Sequence, residues 1–131
     1  MTDKNYIRNL RIPTKNDPLR VLVSACLLGI KCGVNGDNYG EYPSILKLLN
    51  YDNLKFFQFC PEDFSFGTPR EMCDIYGGDG LDVFEGQAKV LTTSGIDWTD
   101  GMIRASEKML ETAQNNNIEL AIMMDISAAC G

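Results

Sequence analysis

The chain has 131 residues, enough for one compact domain burying about two-thirds of the surface its unfolded form exposes, and too few for a second. Apolar residues at 44% and charged residues at 23% match ordinary globular usage and exclude a disordered polymer, while a net charge of −6 works against binding driven by nucleic-acid phosphates or anionic lipid. Histidine is absent, which excludes Ser-His-Asp and Cys-His nucleophiles, zincin motifs and facial-triad iron sites and leaves chemistry to Cys, Asp, Glu, Ser, Lys or the backbone.

Residues 1–19 are polar, mixed in charge and interrupted by Pro13 and Pro18, so they read as a loosely ordered extension packing on the domain or on a partner subunit. They lack the apolar core of a signal peptide, and no apolar run reaches the ~20 residues of a membrane span. A cytoplasmic protein without membrane association is expected. Its five cysteines, odd in number, then read as thiols or metal ligands rather than a disulfide framework.

Arg20 to Cys26 is a short apolar, β-branched run leading into Gly- and Asn-containing sequence, the pattern of a buried strand. Pro43 to Asn50 reads as a helix with proline in its first turn, and Lys55 to Phe59 as a second strand stopped by Cys60-Pro61. Residues 61–87, rich in Gly, Asp and Pro, read as mostly loop and turns. Ala88 to Thr92 suggests a short strand. Thr99 is the expected N-cap of a helix to about Gln114, with Met102, Ile103, Met109, Leu110 and Ala113 on its apolar stripe and Arg104, Glu107, Lys108 and Glu111 opposite. Glu119 to Met124 reads as a strand buried on both faces. Strands alternating with helices predict an α/β domain over residues 20–131 with a mainly parallel sheet. Apolar stripes do not separate a core from a dimer face, so a homodimer stays open.

Cys26 and Cys60 each end a predicted strand, and Cys130 follows the last apolar run. In open parallel sheets ligands bind beyond the carboxyl ends of the strands, so the three thiols can meet in one crevice. The plainer reading is that free cysteines are small buried hydrophobes. Glu62 can serve as a general acid or base or be an ordinary loop glutamate, and Ser127 can serve catalysis or cap a turn. Cys32 is read as structural and Cys73 as packing. Arg70 either fixes an anionic substrate group or pairs with a carboxylate. Gly77-Gly78-Asp79-Gly80 lacks the strand-then-helix context of a dinucleotide fingerprint and reads as a turn.

In order and spacing, Val23-Ser-Ala-Cys26-Leu-Leu-Gly29, Cys32, Cys60-Pro61-Glu62, Thr68-Pro69-Arg70, Gly77-Gly78-Asp79-Gly80 and Ser127-Ala-Ala-Cys130-Gly131 resemble the thiouracil desulfidase (TudS-like) family, long catalogued as a domain of unknown function. The resemblance implies a Rossmann-like three-layer α/β domain whose Cys26, Cys60 and Cys130 hold a [4Fe-4S] cluster, with the fourth iron lacking a protein ligand. It further implies that this iron acts as a Lewis acid toward a thiocarbonyl sulfur, that water supplies oxygen, and that hydrogen sulfide leaves. Glu62 would handle protons and Ser127 would orient or protonate a small thiocarbonyl substrate. The pattern departs from relatives at Ala128-Ala129, where Pro and Ser are common, and at Gly33-Val34-Asn35-Gly36, where Arg-Tyr-Asp-Gly is frequent. Relatives also continue past the position of Gly131, which leaves a truncated C-terminus open. The competing reading is a non-catalytic module of the same fold that holds zinc or a cluster without turnover.

Overall fold

The structure, a computed structural model, describes residues 3–38, 40 and 42–130; Gly131 and the first two residues of the extension lie outside them. At its centre is β1 (Leu19–Ser24), buried along nearly its whole length. Both neighbours, β2 (Leu54–Phe59) and β5 (Leu120–Ile122), run parallel to it, in the order β2-β1-β5. Ser24 stands opposite Phe59, and Val23 opposite Ile122. A 3-10 turn (Ala25–Leu28), α2 (Pro43–Leu48), α3 (Pro61–Phe66) and α5 (Thr99–Asn115) complete the layers. The architecture is the expected three-layer α/β fold with a mainly parallel central sheet flanked by helices.

Several local readings differ. The strand expected over Arg20 to Cys26 stops at Ser24, and Cys26 sits in the 3-10 turn that follows. The stretch read as loop contains α3, β3 (Cys73–Tyr76) and α4 (Gly80–Phe84). Its capping residues explain this. Pro61 occupies the first turn of α3 with Glu62 and Asp63 beside it. Asp79 accepts from the Leu81 and Asp82 N–H groups while Asp82 accepts from the Asp79 N–H, a reciprocal capping box that starts α4. The Gly77–Gly78 turn precedes it, with Gly77 at φ +94°. β3 pairs antiparallel with β4 (Lys89–Thr92) as a separate two-stranded sheet.

In α5 the N-cap is Trp98, and Thr99 is the first helical residue, with its Oγ1 accepting from the Val90 N–H at 3.0 Å. The buried stripe is Gly101, Met102 and Ala105, whereas Leu110, expected on it, is 58% exposed. β5 is shorter than read and only half-buried, with Ala121 exposed, because among the described residues it pairs with β1 alone.

The extension is more ordered than its sequence suggests. Residues Asp3–Arg8 form α1, and Tyr6 Oη donates to the Glu119 carbonyl. Arg11 grips the Glu119 carboxylate, Nε to Oε1 at 2.6 Å and Nη2 to Oε2 at 3.1 Å, and the Arg20 N–H donates to the same Oε2 at 3.1 Å. The Arg11 hydrogen bond, then the Arg20 N–H, hold the Glu119 carboxyl down at about 2, below its ordinary 4.5. A carboxylate whose folded value is depressed adds stability that is complete above its unfolded value and lost as pH falls through the folded one. Between about pH 4.5 and 2 the clasp should therefore weaken. Amide protection factors across residues 3–20, each taken relative to the intrinsic exchange rate at that pH, should fall over that window in the wild type and be already low and flatter with pH in Glu119→Gln.

Two apolar cores form. One gathers Leu19, Val21, Val23, Ala25, Cys26, Leu27, Cys32 and Met124 around the parallel sheet; the other gathers Val83, Ala88, Val90 and Met102 beneath the hairpin. In the second, Phe66 stacks on Trp98 with centroids 3.9 Å apart, and a Cβ on Gly101 would lie 2.5 and 2.8 Å from two Phe66 ring carbons. Gly101→Ala should gain about 1 kcal/mol of helix propensity yet lose more to overpacking, for a net destabilisation of up to about 2 kcal/mol. Urea unfolding followed by the fluorescence of the sole tryptophan measures it.

Candidate functional site

The carboxyl ends of the parallel strands open onto a cavity of about 180 Å³, the position at which an open α/β sheet binds ligands. From β1 come Ser24 and, one turn on, Cys26. From the end of β2 come Cys60, then Pro61 and Glu62. From the loop after β5 come Ser127 and Cys130. The residues read as site candidates, Cys26, Cys60, Cys130, Glu62 and Ser127, therefore all line one space. So do Cys32 and Cys73, read as structural and packing, so that every cysteine of the chain faces this cavity. Cys73 also packs on the core beneath the hairpin, as read.

Local structure positions each group. Cys60 is the N-cap of α3, its sulfur accepting from the Asp63 N–H at 3.5 Å. That places Glu62 in the first turn of α3, buried and aimed at Arg70. Of the two readings of Arg70, the structure shows the carboxylate pair: Nε and Nη2 both reach Glu62 Oε2, at 3.1 and 3.0 Å. The Arg70 side chain is 4% exposed and that of Glu62 11%. Removing one partner of a pair so buried typically costs about 3–5 kcal/mol. Nη1 donates to the Gly67 carbonyl at 3.2 Å and to Thr68 Oγ1 at 3.0 Å. The second carboxylate oxygen, Oε1, accepts the Ser127 hydroxyl at 3.1 Å, and Ser127 Oγ accepts the Ala129 N–H at 3.2 Å.

The thiols share an electrostatic field. Burial pushes Cys26 above its ordinary value, and negative charge on Cys130 and Cys60 pushes the same way. Burial also raises Cys130, against hydrogen bonds from Ser24 and Ser127. Cys32 is pushed up to about 12, chiefly by burial and then by Cys60, and Cys73 to about 11, chiefly by burial and then by Glu62. These thiols are stored neutral and close enough to repel once ionised. Among the described residues no group of three or more His, Cys, Asp and Glu side chains would hold a metal ion as it stands, and no helix is long and apolar enough to cross a membrane.

A cavity walled by cysteines, with a paired carboxylate and a serine at the carboxyl edge of a parallel sheet, defines an α/β protein with a thiol-lined cavity. Comparison narrows the class: the chain belongs to the 2-thiouracil desulfurase family, whose model matches residues 21–131. It is 40% identical over 112 residues to the uncharacterized protein YbbK of Bacillus subtilis (strain 168), spanning 85% of this chain and 72% of that protein. Among solved structures it is similar to the [4Fe-4S]-dependent thiouracil desulfidase TudS, with a TM-score of 0.69 and 29% identity over 86% of this chain and 68% of the other.

A thiol at about 12 is ionised in only about one molecule in 10⁴ at pH 8, and the thiolate is the reactive form. In the metal-free protein Cys32 should thus be alkylated by iodoacetamide at least about a hundredfold more slowly than free cysteine, and about tenfold faster per pH unit. Peptide mass spectrometry over pH 7–9 measures both.

Proposed function

We propose that the chain is a non-redox desulfidase that replaces the sulfur of a thiocarbonyl compound, such as a thiolated nucleobase, with oxygen from water and releases hydrogen sulfide. The observation that carries this reading is the convergence of Cys26, Cys60 and Cys130, from three separate strand ends, on one cavity that also holds Glu62 and Ser127. Its support is family membership and likeness to a [4Fe-4S]-dependent enzyme.

The donor set suits a cluster. Thiolates are the usual ligands of iron–sulfur cores. A cubane takes one thiolate per iron, so its ligands need not converge on a single point as they must around one ion. Cys26, Cys60 and Cys130 would hold it, and mutual repulsion among their thiolates is the strain that cationic iron relieves. When bound, the cluster would supply a Lewis-acidic iron with an open position for a soft thiocarbonyl sulfur.

The rest falls to the protein. Glu62 is restrained at Oε2 by Arg70, leaving Oε1 toward Ser127 and the cavity as the atom that accepts a proton from attacking water. The Ser127 hydroxyl, held between Glu62 and the Ala129 N–H, orients the substrate. Val34, Phe59, Met72 and Ile126 supply apolar lining, with Met72 and Ile126 at the exposed rim. In the balanced reaction a thiocarbonyl and one water become a carbonyl and one hydrogen sulfide, with no net electron transfer.

Anaerobic reconstitution should give a brown protein with about four irons per chain. Cys26→Ser, Cys60→Ser and Cys130→Ser should each lose the cluster. The loaded wild type should convert thiouracil to uracil with one sulfide released per turnover, and Glu62→Gln should lower kcat per loaded chain by about 10²–10⁴. A colourless, iron-free protein after reconstitution would sink the reading. Bound metal without sulfide release from any thionucleobase would favour the non-catalytic module.

A further inference from the structure

Arg70 contacts two of the three loops that carry the cavity's strand-end thiols and is linked to the third through Glu62. Its backbone N–H donates to the Val34 carbonyl at 2.8 Å, on the segment that follows Cys26 and Cys32. Its guanidinium holds Glu62, two residues past Cys60. Through Glu62 Oε1 it reaches Ser127, whose oxygen accepts the Ala129 N–H next to Cys130. The same guanidinium is anchored on its own turn by Gly67 and Thr68.

We infer that Arg70 is a positioning residue: it holds the Cys130 loop in register with the Cys26 and Cys60 loops through an Arg70–Glu62–Ser127 relay, rather than binding substrate. The inference deepens the reading of the cysteine cavity as the working site, but does not depend on the identity of the substrate. A planar fork suits the task, since two of its nitrogens hold one carboxylate oxygen while the third stays on the turn. Lysine, a point charge, can pair with Glu62 but cannot keep both anchors at once. The Cys130 loop meets the relay at the Ser127 hydroxyl and is otherwise held by packing, Cys130 on the core around the parallel sheet and Ala129 on the core beneath the hairpin.

The test uses metal-free full-length protein and iodoacetamide, with alkylation of each cysteine followed by peptide mass spectrometry and folding checked by circular dichroism. In Arg70→Met, Cys130 should react at least about fivefold faster than in the wild type while Cys26 changes less than twofold, and Arg70→Lys should fall between. Ser127→Ala leaves the ion pair intact but also removes a hydrogen bond to Cys130, so in both variants each rate is divided by the thiolate fraction from its own pH profile; on that scale Ser127→Ala should reproduce the Cys130 effect, which keeps the test decisive if Arg70→Met does not fold. Unchanged Cys130 reactivity in folded Arg70→Met or in Ser127→Ala overturns it, as does a uniform rise at every cysteine. In loaded enzyme, Arg70→Lys should lower kcat with KM for thiouracil within threefold; a raised KM at unchanged kcat would instead mean direct substrate binding. Should thiouracil prove not to be a substrate, the alkylation result stands on its own.

Discussion

Parallel pairing in one register is the constraint on which the rest of the molecule depends. With Ser24 opposite Phe59 and Val23 opposite Ile122, the chain leaves the sheet at nearly one level in all three strands, so the residues just beyond share a space. Cys60 follows β2 directly, Cys26 lies in the 3-10 turn after β1, and the loop after β5 folds back to present Ser127 and Cys130. Side chains alternate across a strand, so a slip of one residue would exchange the two faces of β1 and shift the thiol beyond it by about 3.3 Å. The apolar residues that keep Val21 and Val23 buried are thus the same ones that set where the thiols arrive. Hydrophobic patterning carries out the positioning, and no thiol need contribute to it.

The site lies in the seam between two cores. Cys26, Cys32, Cys60 and Cys130 pack on the core around the parallel sheet, while Cys73 and Ala129 pack on the core under the β3–β4 hairpin. The last loop spans that seam, with Ala129 on one side and Cys130 on the other. An alanine here provides a small apolar contact on the hairpin side without reaching into the cavity. Between the cores the polar groups are few and connected: Arg70, Glu62, Ser127 and the backbone they engage. A cavity so placed can be polar at a few points and apolar elsewhere without exposing either core.

Much of this is legible in the residues themselves. The three strands of the main sheet announce themselves by runs of apolar and β-branched residues, and α5 by its length and period. Cys26 and Cys60 stand out because each ends such a run, and Cys130 because it follows the last one. What stays hidden has physical causes. The 61–87 stretch looks like loop because Gly, Pro and Asp dominate its composition, yet those residues sit where helices start and turns occur: Pro61 in the first turn, Asp79 as cap, Gly77 at positive φ. β3 is only four residues long and alternates between half-buried and exposed, so its pattern is faint. Arg11 and Glu119 lie at opposite ends of the chain, and nothing local in either announces their pairing. The Glu62–Arg70 contact is one of two readings open in the residues, and only the fold of α3 onto the following turn decides between them.

The Glu62–Arg70 pair also shows what a buried ion pair is for. Desolvating two charges costs several kcal/mol each, and apolar residues of the same volume would often serve stability as well or better. Direction is what an apolar pair lacks. With Oε2 taken by the guanidinium, Glu62 has Oε1 left for one hydroxyl, and Ser127 supplies it. Replacing the pair by hydrocarbon would leave that half-buried hydroxyl without its acceptor and the Cys130 loop held by packing alone, with no preferred angle. The two cores supply the stability, and the hydrogen-bonded relay between them supplies the arrangement. Loosening the relay therefore disturbs the cavity before it disturbs the fold, which is the behaviour expected where a rigid scaffold carries a site on its loops.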